Sequence, residues 1–252
     1  MQDSLIDYTL HLADNSLMMG HRLSEWTGHG PVLEQDIAIS NIALDLIGQS
    51  RNFYQYAAQS KGNGTTEDDL AYFRDAGDFK NILLAELPNG DWGKTILKLF
   101  FFSTYQYYLY QKLISSADTQ LSAIAEKSLK EVTYHLRWSS EWVIRLGDGT
   151  QESKQRMEKA LNELWGYTSE MFLPADYENE CAKNNSGVAV NTLKADWDNK
   201  VRSVFEQATL DQVPGDRIAE GPHGKEGKHS EHLREILNDM QYLQRTYPGC
   251  EW

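Results

Sequence analysis

Glu34, Asp45, Glu131 and His135 are the residues whose types and spacing come closest to a metal chemistry in this chain. From Leu33 to Phe53, a step of about 100° per residue puts Glu34, Asn41, Asp45 and Asn52 on one narrow stripe, with the small Ala38 and Gly48 in its gaps. Ile37, Ile39, Ile42, Ala43, Leu44, Leu46, Ile47 and Phe53 take most of the remaining circumference, so this helix is expected to be buried on at least two sides. The polar stripe then has two possible destinations. It is the one solvated edge of a core helix, or it is a seam facing into a bundle, where helical di-metal carboxylate proteins keep their ligands.

Such a centre takes a lone Glu from each of two helices and a Glu-x-x-His pair from each of two others, because that spacing aims both side chains at one metal. Here the pattern fails in three places. With Asp45 as the acid, Gly48 stands in the histidine position, and with Glu34 it is Ile37. Glu131 puts Tyr134 there, and His135 lies one residue beyond. Between Asp91 and Asp118 there is no acidic residue at all. A two-metal cluster short of both carboxylates and imidazoles would leave its charge uncompensated. No metal ligand and no catalytic residue is assigned on this reading, although an oxygenase with an irregular site at Glu34, Asp45, Glu131 and His135 stays open as the alternative.

The other polar clusters point to less. His11, Asp14, Met18, His21 and Glu25 recur at three- and four-residue steps on the first helix and are expected to be capped or paired surface residues. His223, His229 and His232 lie among glycines and acids, and read better as the entry to a last helix with Ser230 as its N-cap than as a metal loop. Arg74, Lys80 and Asn81 give one connection several donors for an anionic ligand, with ordinary solvated side chains as the plainer reading. No glycine-rich phosphate loop follows a strand, and no serine or cysteine stands in a nucleophile motif.

Helices must position these groups, because period-two alternation and hairpin dipeptides are missing. The first is predicted from Ser4 to Trp26, ended by Gly28, Gly30 and Pro31; the second from Leu33 through Tyr56 to a break at Gly62-Asn63-Gly64. A short helix around Leu70–Arg74, a turn at Gly77-Asp78 and an apolar segment from Phe79 to Leu87 lead to Pro88-Asn89-Gly90. The stretch from Asp91 to Ser116 carries Trp92, Phe100, Phe101, Phe102, Tyr105, Tyr107, Tyr108 and Tyr110, and belongs in a bundle interior or against another subunit. Further helices are expected at Gln120–Leu146, Lys154–Phe172, Thr192–Leu210 and Ser230–Arg245, with a loop at Asp176–Gly187 and a turn-rich stretch at Val213–Gly227. The prediction is an all-α bundle of about four long core helices with additional helices around them, as a single domain over residues 1–252.

Composition sets the outer limits. A chain of 252 residues with 40% hydrophobic content can bury a full core. A formal net charge of −13 argues against nucleic acid or an anionic membrane as partner, and a basic protein partner is easier to accommodate. No signal-peptide pattern opens the sequence and no apolar run reaches the roughly 18 residues of a membrane span, so a cytoplasmic protein is expected. Cys181 and Cys250 are then expected as free thiols.

Several longer motifs carry a resemblance. Asp14-Asn15 with Arg22-Leu23-Ser24-Glu25-Trp26, Asn41-Ile42-Ala43-Leu44-Asp45-Leu46 with Arg51-Asn52-Phe53, Pro88-Asn89-Gly90, Lys130-Glu131 with Tyr134-His135-Leu136-Arg137, Leu146-Gly147, Glu231-His232-Leu233 and Met240-Gln241-Tyr242-Leu243-Gln244-Arg245 are similar to the subunits of the bacterial phenylacetyl-CoA epoxidase family. The resemblance runs nearly end to end. It implies a ferritin-like bundle acting as a non-catalytic structural and substrate-positioning subunit in aerobic phenylacetate degradation. It further implies a related catalytic partner, which holds the di-iron site and epoxidises the ring of phenylacetyl-CoA, and a reductase with FAD and an iron–sulfur centre that draws on NADPH. The family's substrate-contact segments map onto Asp78, Phe79, Lys80 and Asn81, and onto Asn179, Glu180 and Cys181, where residue types diverge. A ferritin-like scaffold for another acyl-CoA enzyme is the remaining alternative.

Overall fold

In a computed structural model describing residues 2–210 and 223–250, every regular element is helical. The ten α-helices are α1 (Gln2–Ser24), α2 (Leu33–Lys61), α3 (Glu67–Tyr72), α4 (Leu83–Glu86), α5 (Trp92–Leu113), α6 (Thr119–Gly147), α7 (Gln151–Thr168), α8 (Asp176–Lys183), α9 (Lys194–Gln207) and α10 (Glu231–Thr246). Polar caps set several of these starts. Asp91 accepts the Lys94 N–H at the head of α5, Asp118 accepts from Gln120 and Leu121 at the head of α6, and Thr150 closes a reciprocal pair with Ser153 at the head of α7.

Four long helices form the bundle. α1 packs on α2, α5 on α6, and α2 on α6, with α7 and α9 against α5 and α8 against α1. α5 is the hub. Ile96, Leu97, Leu99, Phe100, Phe101, Phe102, Tyr105, Leu109 and Tyr110 are all buried within this chain, and only Trp92, Tyr107 and Tyr108 among its aromatics keep partial exposure. Its rings are held edge-on or tilted rather than stacked. Trp92 meets Trp26, Trp138 and Trp142 near 90°, while Phe101 contacts Trp165, Trp197 and Phe205. The aromatic helix therefore finds its cover inside the molecule, the first of the two placements expected for it.

One segment differs from expectation. The stretch read as a loop at Asp176–Gly187 begins with α8, because Tyr177 and Cys181, four apart, both turn into the core. The predicted last helix is present as α10, with Ser230 as its cap accepting the His232 N–H at 3.3 Å. Most of the turn-rich stretch at Val213–Gly227 lies outside the described residues. Among the described residues no helix is long and apolar enough to cross a membrane.

Candidate functional site

The polar line on α1 is not at the surface. His11, Asp14 and Met18 are completely buried, and only Glu25 at its far end is exposed. The expectation of surface residues fails because their partners come from distant parts of the chain. Asp14 accepts two N–H groups of the Arg74 guanidinium, the Tyr54 hydroxyl at 2.5 Å and the backbone N–H of Lys80 at 2.8 Å. His11 Nδ1 faces the Lys80 carbonyl at 2.7 Å, and Asn15 Oδ1 accepts the Ile82 N–H at 2.8 Å. Residues 80–82 are thus pinned along α1 by three side chains at steps of three and one, standing in for a neighbouring strand.

The tautomer of His11 follows from its contacts. A carbonyl at Nδ1 requires a proton there, which leaves Nε2 to accept from Asn15 Nδ2 at 3.1 Å. Burial lowers the His11 pKa, with Glu178 opposing it, so the ring is held neutral.

A second network lies beneath the same loop. Glu86, on α4, accepts from Asn81 Nδ2 at 2.8 Å, from the Ser230 N–H and hydroxyl at 2.7 Å each, and from His229 Nδ1 at 2.8 Å. His229 Nε2 in turn faces the Phe79 carbonyl at 2.8 Å. With an acceptor at each nitrogen the ring must carry both protons, and although burial lowers its pKa, the Glu86 hydrogen bond and charge prevail and raise it. A third pair, Lys225 and Glu178, meets at 2.9 Å, and Lys225 also donates to the Met171 and Leu173 carbonyls. Gly224 and Gly227 make this cover possible. A Cβ on Gly224 would run into the Asn81 backbone carbonyl, and Gly227 combines φ +78° with close approach to the Gly77 carbonyl.

The residues mapped by resemblance are brought together around this knot. Phe79 and Asn81 are fully buried, Phe79 under the Arg74 guanidinium at 4.1 Å and Asn81 against Glu86. Lys80 stays partly exposed, its ammonium 3.3 Å from Asp7 and 5.1 Å above the Tyr177 ring, while Asp78 is exposed. On the facing α8, Asn179 is exposed, Glu180 accepts from the Ser4 hydroxyl, and Cys181 is a buried free thiol whose sulfur lies 3.5 Å from the Ser4 carbonyl. The two segments, about a hundred residues apart in sequence, flank the first half of α1, with Lys80 and Tyr177 closing the gap. Cys250 is also free, and exposed.

The α2 stripe takes the solvated course. Glu34 and Asn41 are exposed, Asp45 and Asn52 half-buried, and Asp45 accepts from His135 Nε2 at 2.9 Å. What faces inward is Gln49, which donates to Glu131 at 2.9 Å and accepts from the Tyr110 hydroxyl at 3.4 Å. Gln106 continues the chain, donating to Tyr110 at 3.2 Å and to Ser16 at 3.4 Å. The seam where four helices α1, α2, α5 and α6 converge is therefore filled by amides and hydroxyls, with Glu131 alone ionisable as a carboxylate at its edge. The three late histidines do not gather either: His223 precedes a short turn at Gly224–Glu226, His229 is taken by Glu86, and His232 pairs with Glu235 at 3.2 Å. Among the described residues no three His, Cys, Asp or Glu side chains are grouped as a metal site would need.

Lys98, unsuspected in the sequence, is the one buried cation here with no carboxylate against it among the described residues. It donates to the Leu87 carbonyl at 2.6 Å and to Asn89 Oδ1 at 3.0 Å, and burial, aided by Arg22, lowers its pKa to about 7. A lysine at mid-helix in an otherwise aromatic stretch was the available signal.

An all-α bundle whose four long helices meet at a hydrogen-bonded polar seam is of the ferritin-like class. The chain belongs to the phenylacetic acid catabolic protein family, whose model matches residues 1–252. It is similar to the C subunit of the 1,2-phenylacetyl-CoA epoxidase of Escherichia coli strain K12, with 47% identity over 252 residues that cover 99% of this chain and all of that protein.

Proposed function

We propose that this chain is the non-catalytic, structural and substrate-positioning subunit of a multicomponent phenylacetyl-CoA epoxidase in the cytoplasm. The full-length likeness to the C subunit of that enzyme supports the assignment to the complex. The observation that carries the non-catalytic half is the seam itself: Gln49, Gln106, Tyr110 and Ser16 occupy the crossing of the four long helices. Amide and hydroxyl groups do not compensate the charge of two metal ions. The donor set does not fit a di-iron centre, and ring epoxidation falls to a related di-iron partner, the A subunit, fed with electrons by an NADPH-dependent reductase that holds FAD and an iron–sulfur centre.

On this reading the chain contributes the loop at 78–82 and the facing α8. Lys80 supplies a positive charge at the surface of an acidic protein, where the polyanionic coenzyme A moiety needs one, and the paired networks around Asp14 and Glu86 hold its backbone still. Reconstitution tests it. Di-iron partner and reductase should turn over phenylacetyl-CoA with NADPH at full rate only when this chain is added, and an equal rate without it would overturn the proposal.

A further inference from the structure

Glu170 sits in the single turn Ser169–Phe172 that follows α7 and is 4% exposed, yet no cation pairs with it among the described residues. Its Oε2 accepts the Leu83 N–H at 2.7 Å, and the Gly224 and Lys225 N–H groups turn toward the same carboxyl. Leu83 opens α4, and Ile82 before it has no side chain that could cap the turn, so the cap is delivered by a residue 87 positions later. The backbone N–H groups of Lys80, Ile82 and Leu83 are thus taken by Asp14, Asn15 and Glu170 in turn. Two of these acceptors stand on α1. Glu170 alone ties the end of the loop to the turn after α7 and to the 224–225 backbone that covers Asn81.

The carboxyl is used on one side only. Oε1 is buried with no hydrogen-bond partner among the described residues. A carboxylate spreads its charge over both oxygens and needs donors for each, whereas an acid carries its own proton on the free one. Lys225, the cation that acts on it, gives its ammonium to Glu178 and to the Met171 and Leu173 carbonyls. Tyr105 on α5 lies in the field of the same carboxyl, and burial keeps that phenol neutral. Burial likewise raises the Glu170 pKa. We infer that Glu170 is a positioning residue for the substrate loop, holding its Leu83 end as a neutral acid. This rests on the reading above, in which residues 78–82 meet the acyl-CoA. Lys80 stands three residues before the amide that Glu170 holds, so slack there shifts the ammonium without touching the chemistry.

The assembled enzyme provides the test, with phenylacetyl-CoA as the probe. Glu170→Ala removes the acceptor and is expected to raise KM by roughly threefold or more with kcat nearly unchanged, while Glu170→Gln keeps an acceptor for Leu83 and brings KM back to the parent's. Hydrogen exchange at the Leu83 amide, measured on the full chain, should quicken in the alanine variant and not in the glutamine one. Val143→Ala opens a cavity in the fully buried face of α6 and controls for lost stability; its KM should match the parent's. An unmoved KM in Glu170→Ala beside a raised one in Lys80→Ala overturns the positioning role and leaves the function standing. A KM raised as much by Val143→Ala makes the effect one of stability and overturns the role as well. A glutamine variant as impaired as the alanine one shows that charge holds the amide, and overturns the neutral acid. If neither Glu170→Ala nor Lys80→Ala moves KM, the substrate-positioning reading fails, and this inference with it.

Discussion

The Asp14 carboxylate accepts the backbone N–H of Lys80 at 2.8 Å, so a side chain on the first helix sets the position of a loop 66 residues later. The same carboxylate carries the Arg74 pair, fully buried on its own side. Asp14→Asn leaves Arg74 without its counter-charge, and breaking one side of a buried pair costs about 3–5 kcal/mol. Urea unfolding should show that loss, while Tyr54→Phe, which removes only a hydroxyl donor, should cost about 1 kcal/mol.

Lys98 gives the chain a pH dependence of predictable sign. Its pKa is about 7 in the folded protein against an ordinary 10.5, so between these values the unfolded chain holds more protons and stability rises with pH, by about 1.4 kcal/mol per unit from this group. Below pH 7 the lysine is charged in both states and its full burial penalty applies. Lys98→Met should flatten the difference in unfolding free energy between pH 7 and 9. A slope equal to the parent's would show that Lys98 keeps its charge when buried.

His229 works in the opposite direction. Its pKa is raised above 6.5 by Glu86 despite burial, so its contribution is complete below about pH 6.5 and is lost as pH climbs through the folded-state value. His229→Gln should remove that loss, and the amide of Ser230, held by Glu86, should exchange faster at high pH in the parent than at pH 6 after correction for intrinsic rate.

Much of this was legible in advance, and the failures have physical causes. The long helices, the capping of α10 by Ser230 and the broken Glu-x-x-His pattern depend on local spacing, which one sequence displays. Helical phase groups Glu34, Asn41, Asp45 and Asn52 on one face but cannot orient that face when the helix is apolar on two sides; Gln49, a neutral residue with no pattern to mark it, turned inward instead. His11 and Asp14 read as surface groups because their partners, Tyr54, Arg74, Lys80 and Glu178, are 40 to 167 residues away. Long-range pairing leaves no trace in periodicity.

Lys80 and Asp7 should act on substrate binding with opposite sign. The ammonium lies 3.3 Å from the Asp7 carboxylate, which offsets part of the charge it offers to an anion. In the assembled enzyme Lys80→Ala should raise KM for phenylacetyl-CoA several-fold, on the order of 1 kcal/mol, and leave kcat nearly unchanged. Asp7→Asn should lower KM. A fallen kcat in an intact complex would place this chain in the chemistry, and KM values unmoved by either change would remove Lys80 from the substrate's path.

The central claim is that this bundle supports an oxidation whose metal lies on its partner. Iron and manganese should be quantified by mass spectrometry on the purified chain, expressed with both metals supplied, and its oxygen-dependent turnover of phenylacetyl-CoA measured with reductase and NADPH. Metal far below one ion per chain, with no turnover until the di-iron partner is added, is the predicted result. Two ions per chain with turnover by this chain alone would contradict it.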